Sequence, residues 1–360
     1  MIFSACNTKN LYLLAGTYTG TGSKGIYVYQ FDPASGKATL VSHTDTTINP
    51  SFVIANGDFV YAVNETNGDN PGSVSAFSFD KKTGKLTFLN KQATGGDDPC
   101  HLAINKDGKW LAVANYSGGS TSVFSLGDDG SISPLVQLLE NTGSSINKER
   151  QEKSHVHEVV FSNDDRYLFA PDLGQDKILI YDFDGKKEHP ALPAAPAFLN
   201  IEPGSGPRHF TFDARENFAY LVAELTGMVH VYSYQKGQFS EIQEIPAYAP
   251  EYTGSLDAAE ILISPDGKFL YSSHRGDMNH LTIFSVDKDS GKLTLIGFQS
   301  TLGKAPRNFT IDPSGQYLLA ANQNSDNIVI FKRDKATGLL NPTGVEISLP
   351  KPVSLQWLPQ

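Results

Sequence analysis

Short runs of alternating apolar and polar residues recur along the whole chain, separated by polar turns. Alternation with period two marks strands, and no stretch carries the 3.6-residue periodicity of a helix. One phrase returns: an apolar strand, a turn of the Ser-Pro-Asp-Gly kind, a second apolar strand, and a small residue followed by Asn, Glu or Arg. It stands at 51–65, 101–116, 158–173, 209–224, 260–275 and 308–323, and its second strand alone stands at 11–18. Equivalent residues on that second strand are Leu13, Val60, Leu111, Leu168, Ala219, Leu270 and Leu318, at steps of 47 to 57 residues. A third strand follows each copy, as at 73–79 and 281–286. A hairpin turn such as Asp80-Lys-Lys-Thr-Gly84 comes next, then an outer strand.

Steps of this size fit one four-stranded unit of roughly 40–50 residues, which cannot bury its own two faces. The pattern therefore predicts an all-β chain, a seven-bladed β-propeller of four-stranded antiparallel blades. The first unit lacks its opening strand, and residues 351–358 have the form of the missing piece. They are expected to insert beside 11–18 and close the ring, so that six blades are continuous and the seventh is shared by the two ends. Residues 1–9 then form a tail and 10–360 a single propeller domain.

Charge and cysteine usage narrow the functional classes. The net charge of −10 argues against sequence-independent nucleic-acid binding, which needs a field of Lys and Arg. Two cysteines, Cys6 and Cys100, make neither a disulfide framework nor a zinc motif. No apolar run reaches the ~18 residues of a membrane span, so no transmembrane segment is expected. Phe3-Ser4-Ala5-Cys6 has the form of the end of a bacterial lipoprotein signal, whose cysteine is lipidated. This sets a periplasmic or lipid-anchored location through Cys6 beside a cytoplasmic one.

In a propeller the innermost strand lines the central channel. The start of strand one and the end of strand two therefore meet at one mouth. The first column contains Pro99-Cys100-His101, His155-Val156-His157-Glu158, Pro207-Arg208-His209, Ala259-Glu260 and Pro306-Arg307-Asn308. The second contains Asn64-Glu65, Asn115-Tyr116, Asp172, Glu224, His274-Arg275 and Asn322-Gln323. A bare repeat needs none of these polar side chains there, although channel residues can also simply pair with one another. Arg208, Arg275 and Arg307 at one mouth of an acidic protein point to a bound anion, which arginine captures in bidentate fashion.

Other signals lead elsewhere or nowhere. His155 and His157 would share one face of a strand, a spacing that suits a metal, but Glu158 points to the other face. Neither metal nor cofactor is expected. Gly20-x-Gly22-x-x-Gly25 matches a dinucleotide fingerprint with no helix behind it, so it reads as a loop. Cys100 falls in the first column, but a nucleophilic thiol needs an activating base.

The phrases HVHEVVFS, GPRHFTFD, AYLVAEL, SSHRGDMNHLTIFSVD and PRNFTIDPSGQYLLAANQ carry a resemblance over roughly residues 10–358. The chain resembles the lactonase family of seven-bladed propellers. That family contains the propeller-type 6-phosphogluconolactonases and the fungal carboxy-cis,cis-muconate cyclases. The resemblance implies hydrolysis of 6-phospho-glucono-1,5-lactone, a small anionic sugar lactone, by a monomer or weak dimer. The His, Glu and two Arg assigned to the cyclases fall on His157, Glu224, Arg208 and Arg275. In the lactonase reading Glu224 and His157 share the base and acid roles, Arg208 stabilises the oxyanion, and Arg275 and Arg307 hold the anionic group. His209, Asn279, Asn322 and His155 are further substrate contacts. Where the family usually shows Asn-Arg-Gly-His, this chain has His274-Arg275-Gly276-Asp277, which leaves the exact lactone open. Rival readings are a lactonase for unphosphorylated or carboxymuconate-type lactones, and a non-enzymatic propeller binding a peptide or glycan on its rim.

Overall fold

The computed structural model describes residues 11–20, 22–45 and 47–358, so Cys6 and the tail lie outside the described residues. The described chain forms seven four-stranded antiparallel sheets and no helix. Blade 1 runs Pro352–Trp357, Leu11–Thr17, Tyr27–Asp32, Lys37–His43 from the axis outward. Blades 2 to 7 follow in chain order, with second strands at Phe59–Asn64, Trp110–Asn115, Tyr167–Asp172, Phe218–Ala223, Phe269–His274 and Tyr317–Asn322.

The expected register on those strands holds. Leu13, Val60, Leu111, Leu168, Ala219, Leu270 and Leu318 are all fully buried. Side chains on the two faces of each sheet pack against the two neighbouring blades, giving one apolar cluster at each of the seven interfaces. The interface of blades 1 and 7, for example, joins Leu13, Tyr29 and Phe31 to Leu319 and Ile330. No blade can keep its core without its neighbours.

Closure occurs where the repeat left a gap. Leu14 pairs with Gln356 and Ala15 with Leu355. Trp357 sets its ring edge-on to Phe31 at 5.2 Å, and Ser354 Oγ accepts a hydrogen bond from the Val53 N–H of the next blade. The hairpin turns also follow the sequence. Asp80 accepts from the Thr83 hydroxyl and the Lys82 N–H, and Gly84 takes the positive φ of 68° that the turn requires.

One strand is shorter than the repeat implied. In blade 4 the inner strand shrinks to Val160–Phe161, and His155 and His157 lie in an irregular approach joined to the second strand by a single bridge at Val156. Pro171 sits opposite this approach and has no N–H to donate, so the ladder cannot continue. The two histidines therefore do not share a strand face as expected.

Candidate active site

Two successive residues at the end of each second strand divide two tasks. The last strand residue is buried within the blade, as with Thr17, Asn64, Asn115, Asp172, His274 and Asn322. Several of these side chains fasten the strand to a neighbouring connection. Asn64 Nδ2 donates to Ile48 O and Asn322 Nδ2 to Thr301 O, while Asp172 accepts from Ser154 Oγ and the His155 N–H. The next residue projects the opposite way and lines the channel mouth, as with Tyr18, Glu65, Tyr116, Glu224 and Arg275.

The inner strands place side chains by a different device. In blade 3, Pro99 pairs with Asn115 but His101 pairs with Ala114, which leaves Cys100 outside the register. The same bulge isolates Arg208 in blade 5, Arg307 in blade 7 and Val353 in blade 1, and blade 6 loops out Ala259 and Glu260. A bulge re-aims the extra side chain. Here it brings Arg208 and Arg307 to the axis.

The result is a cavity of about 330 Å³ to which every blade contributes. Its wall includes Tyr18, Glu65, Cys100, Tyr116, His157, Glu224, Arg275 and Arg307, with Arg150 reaching in from the connection before blade 4. Asn147 holds the turn that carries Arg150 by accepting from the Arg150 N–H, and Gln151 Nε2 anchors it to Leu173 O.

Glu224 is the electrostatic centre. Its Oε2 accepts from Arg208 Nε at 2.8 Å and lies 3.1 Å from Arg275 Nη2, while its Oε1 accepts from Arg150 Nη2 at 2.5 Å. Burial alone would raise its pKa, but Arg275, Arg208 and Arg150 outweigh burial and hold it down to about 2. A carboxylate so saturated is a poor proton acceptor. Arg208 is only 1% exposed and lies beneath the pocket, its Nη1 donating to Ala259 O. Burial and the neighbouring Arg275 push it down to about 10. Its contacts secure Glu224 from beneath.

His157 Nε2 stands 4.0 Å from Glu224 Oε2. Burial, reinforced by Arg208, keeps this imidazole well below its usual 6.5, so the ring is neutral and its nitrogen can accept a proton. Cys100 Sγ donates toward His157 O at 3.3 Å, and burial pushes its thiol up, away from thiolate. Arg307 is the exception among the arginines. It is partly exposed, lies over the Tyr18 ring at 5.7 Å, and makes no ion pair or hydrogen bond among the described residues. Arg208 pairs with Glu224, and Arg275 with Glu224 and Asp257, so Arg307 is the pocket arginine without a carboxylate partner among the described residues.

Four expected contacts stand away from the pocket. Asn279 spends its side chain on its own turn, donating to Gly276 O and accepting from the Ala305 N–H. Asn322 faces into its blade. His155 stacks on the outer side of Tyr116 at 4.5 Å and meets Glu152 Oε1 at 3.0 Å. His209 sits deeper in the channel, its Nδ1 3.0 Å from Glu260 Oε1 and its ring 5.2 Å from that of His157. No group of three or more metal-ligating side chains gathers among the described residues.

A family model described as Lactonase, 7-bladed beta-propeller matches residues 12–357. The chain belongs to this lactonase family. A curated 6-phosphogluconolactonase of Formosa agariphila is 42% identical over 92% of this chain and 95% of its own. One of Bacillus subtilis is 35% identical over 96% and 97%. The solved periplasmic gluconolactonase of Pseudomonas aeruginosa superimposes with a TM-score of 0.93 at 37% identity, covering 97% of this chain and 99% of that one. The family's fold accounts for the ring and its mouth. Glu65 and Tyr116 stand in the second column read from the sequence but received no role there, and Tyr18 and Arg150 were not singled out. The first three share the register of Glu224 and Arg275, which was the signal available for them. Arg150 lies outside the repeat and had none.

Proposed function

We propose that this chain is a lactone hydrolase acting on 6-phospho-glucono-1,5-lactone and releasing 6-phosphogluconate. The observation that carries the reading is the neutral His157 imidazole beside the locked Glu224 carboxylate, in a pocket that also holds the unpaired Arg307. His157 Nε2 takes a proton as water adds to the lactone carbonyl carbon. The named contacts of Arg150 and Arg275 all run through Nη2, so the Nη1 group of each is left for the developing oxyanion. When the ring C–O bond breaks, the imidazolium returns its proton to the leaving oxygen. Glu224 stabilises that imidazolium between the two steps. Arg307 takes the phosphate.

The similarity to a periplasmic gluconolactonase favours a second reading, an unphosphorylated lactone in the same pocket. No helix among the described residues is long and apolar enough to cross a membrane, which fits either location. Hydrolysis assays with glucono-1,5-lactone and its 6-phosphate decide between the two. A large preference for the phosphate ester supports the first reading. Equal rates support the second, and no rate above spontaneous opening on either lactone rejects both.

A further inference from the structure

Three carboxylates line the pocket, and two are fully engaged. Glu224 has an arginine on each oxygen. Asp98 accepts from Asn67 Nδ2 on both oxygens and from Ser117 Oγ on one. Glu65 differs. Its Oε1 accepts from the Tyr18 hydroxyl at 2.8 Å, while its Oε2 is buried and has no hydrogen-bond partner among the described residues. An acceptor shut away from water without a donor is unfavourable, and a ligand that brings a donor relieves it.

The placement of Glu65 is firm. Its N–H donates to Asn49 O and its carbonyl accepts from Asn49 Nδ2, so the backbone is held on both sides. Tyr18 is set in turn by its own N–H, which donates to Lys351 O next to the closing strand. The remaining freedom of Glu65 lies in its terminal torsion, which is soft and lets the carboxylate turn an oxygen toward the pocket. Burial raises the Tyr18 phenol, so it stays protonated and keeps donating to Oε1. The wall formed by blades 7, 1 and 2 thus carries an unpaired guanidinium and an unfilled carboxylate oxygen side by side with Tyr18. The wall formed by blades 5 and 6 carries the saturated Glu224 network.

A carboxylate oxygen offers only acceptance, so its partner must be a hydroxyl or an N–H. We infer that Glu65, positioned by Tyr18, is a specificity residue that accepts a hydrogen bond from a ring hydroxyl of the bound lactone. This rests on the reading of the pocket as a sugar-lactone site and adds the group that reads the polyol. A buried polar group built to meet a substrate hydroxyl discriminates strongly against an analogue that lacks it.

The experiment compares glucono-1,5-lactone 6-phosphate with δ-valerolactone, which has the same six-membered ring and no hydroxyls. Wild type, Glu65→Met and Glu65→Gln are assayed, with thermal melts to verify folding. The expected result is a KM for the sugar lactone at least about 10-fold higher in Glu65→Met. Its kcat/KM for δ-valerolactone should stay within about 2-fold of wild type, and Glu65→Gln, which still carries an oxygen acceptor, should fall between the two on the sugar lactone. Equal losses on both lactones would make Glu65 a general base or a structural residue and overturn the inference. So would no loss on either. A wild-type chain inactive on both lactones would instead remove the functional reading beneath it.

Discussion

Arg208 Nε donates to Glu224 Oε2 across 2.8 Å, with both groups buried, the guanidinium beneath the pocket and the carboxylate in its wall. Breaking such a pair leaves a buried charge partly uncompensated, which typically costs about 3–5 kcal/mol. Arg208→Met should therefore lower unfolding free energy by about 3 kcal/mol in urea titration. Arg150 holds the other oxygen of the same carboxylate but is 43% exposed, so Arg150→Ala should cost less than about 1 kcal/mol. Similar losses from both variants would contradict this division of the network.

His157 sets the acid limb of catalysis. Its depressed pKa keeps the ring neutral through the working range, so the base form is lost only as pH falls below the ordinary 6.5. The kcat/KM profile should be flat above that value and decline on the acid side beneath it. His157→Ala should reduce kcat by roughly 10²–10⁴. A limb centred at or above 6.5 would assign the base elsewhere.

Arg307 provides the contrast between substrates. Arg307→Ala should raise KM for the phosphorylated lactone by about 10- to 100-fold, the size of a lost charge-assisted pair. Unphosphorylated gluconolactone should change by less than about 3-fold. Steady-state kinetics on both lactones measure the difference, and equal effects would remove the phosphate from Arg307.

Glu158 titrates in the opposite sense to His157. Burial raises it well above the usual 4.5, and its Oε2 accepts from the Phe210 N–H. The folded chain holds a proton that the unfolded chain releases, so this group's contribution to stability is complete below 4.5 and is lost as pH rises through the folded value. Glu158→Gln keeps the acceptor and removes the titration. Its stability relative to wild type should improve steadily from about pH 5 to pH 8 in denaturant titrations. A constant difference would show that the group is not protonated when folded.

Truncation after Lys351 tests the ring. The closing strand buries Val353, Leu355, Trp357 and Leu358, each worth about 1.5–3 kcal/mol. Their sum rivals the whole stability of a typical domain. The melting temperature should drop by about 10 °C or more, or cooperative melting should vanish. An unchanged transition would refute closure.

The fold was legible because a repeat states its own register. Leu13 and Leu318 could be matched across the chain before any strand was seen. The site was legible only to within one residue. Asn322 and Glu224 stood in the same column by eye, yet a strand sends neighbours to opposite sides, and the asparagine belongs to the blade while the glutamate belongs to the channel. The same phase separates Asn64 from Glu65 in that column and sets Tyr18 beside Glu65 at the mouth. The pairing of Glu224 with three arginines was not legible, since it depends on Arg150 arriving from an irregular connection. Nor were the bulges, which appear only when two strands are laid side by side.

Those bulges have a bearing on how such an enzyme changes over time. A residue displaced from the ladder need not match a residue on the strand opposite, and here the displaced positions hold side chains as unlike as cysteine, arginine and valine. Cys100 and Arg307 face the pocket, whereas Arg208 and Val353 are buried away from it. Exchanging the half-buried Arg307 alters the charge or shape offered to a ligand without touching a hydrophobic seam between blades. New chemistry can therefore be tried at Arg307 with less disturbance to the scaffold than at the sealed Arg208.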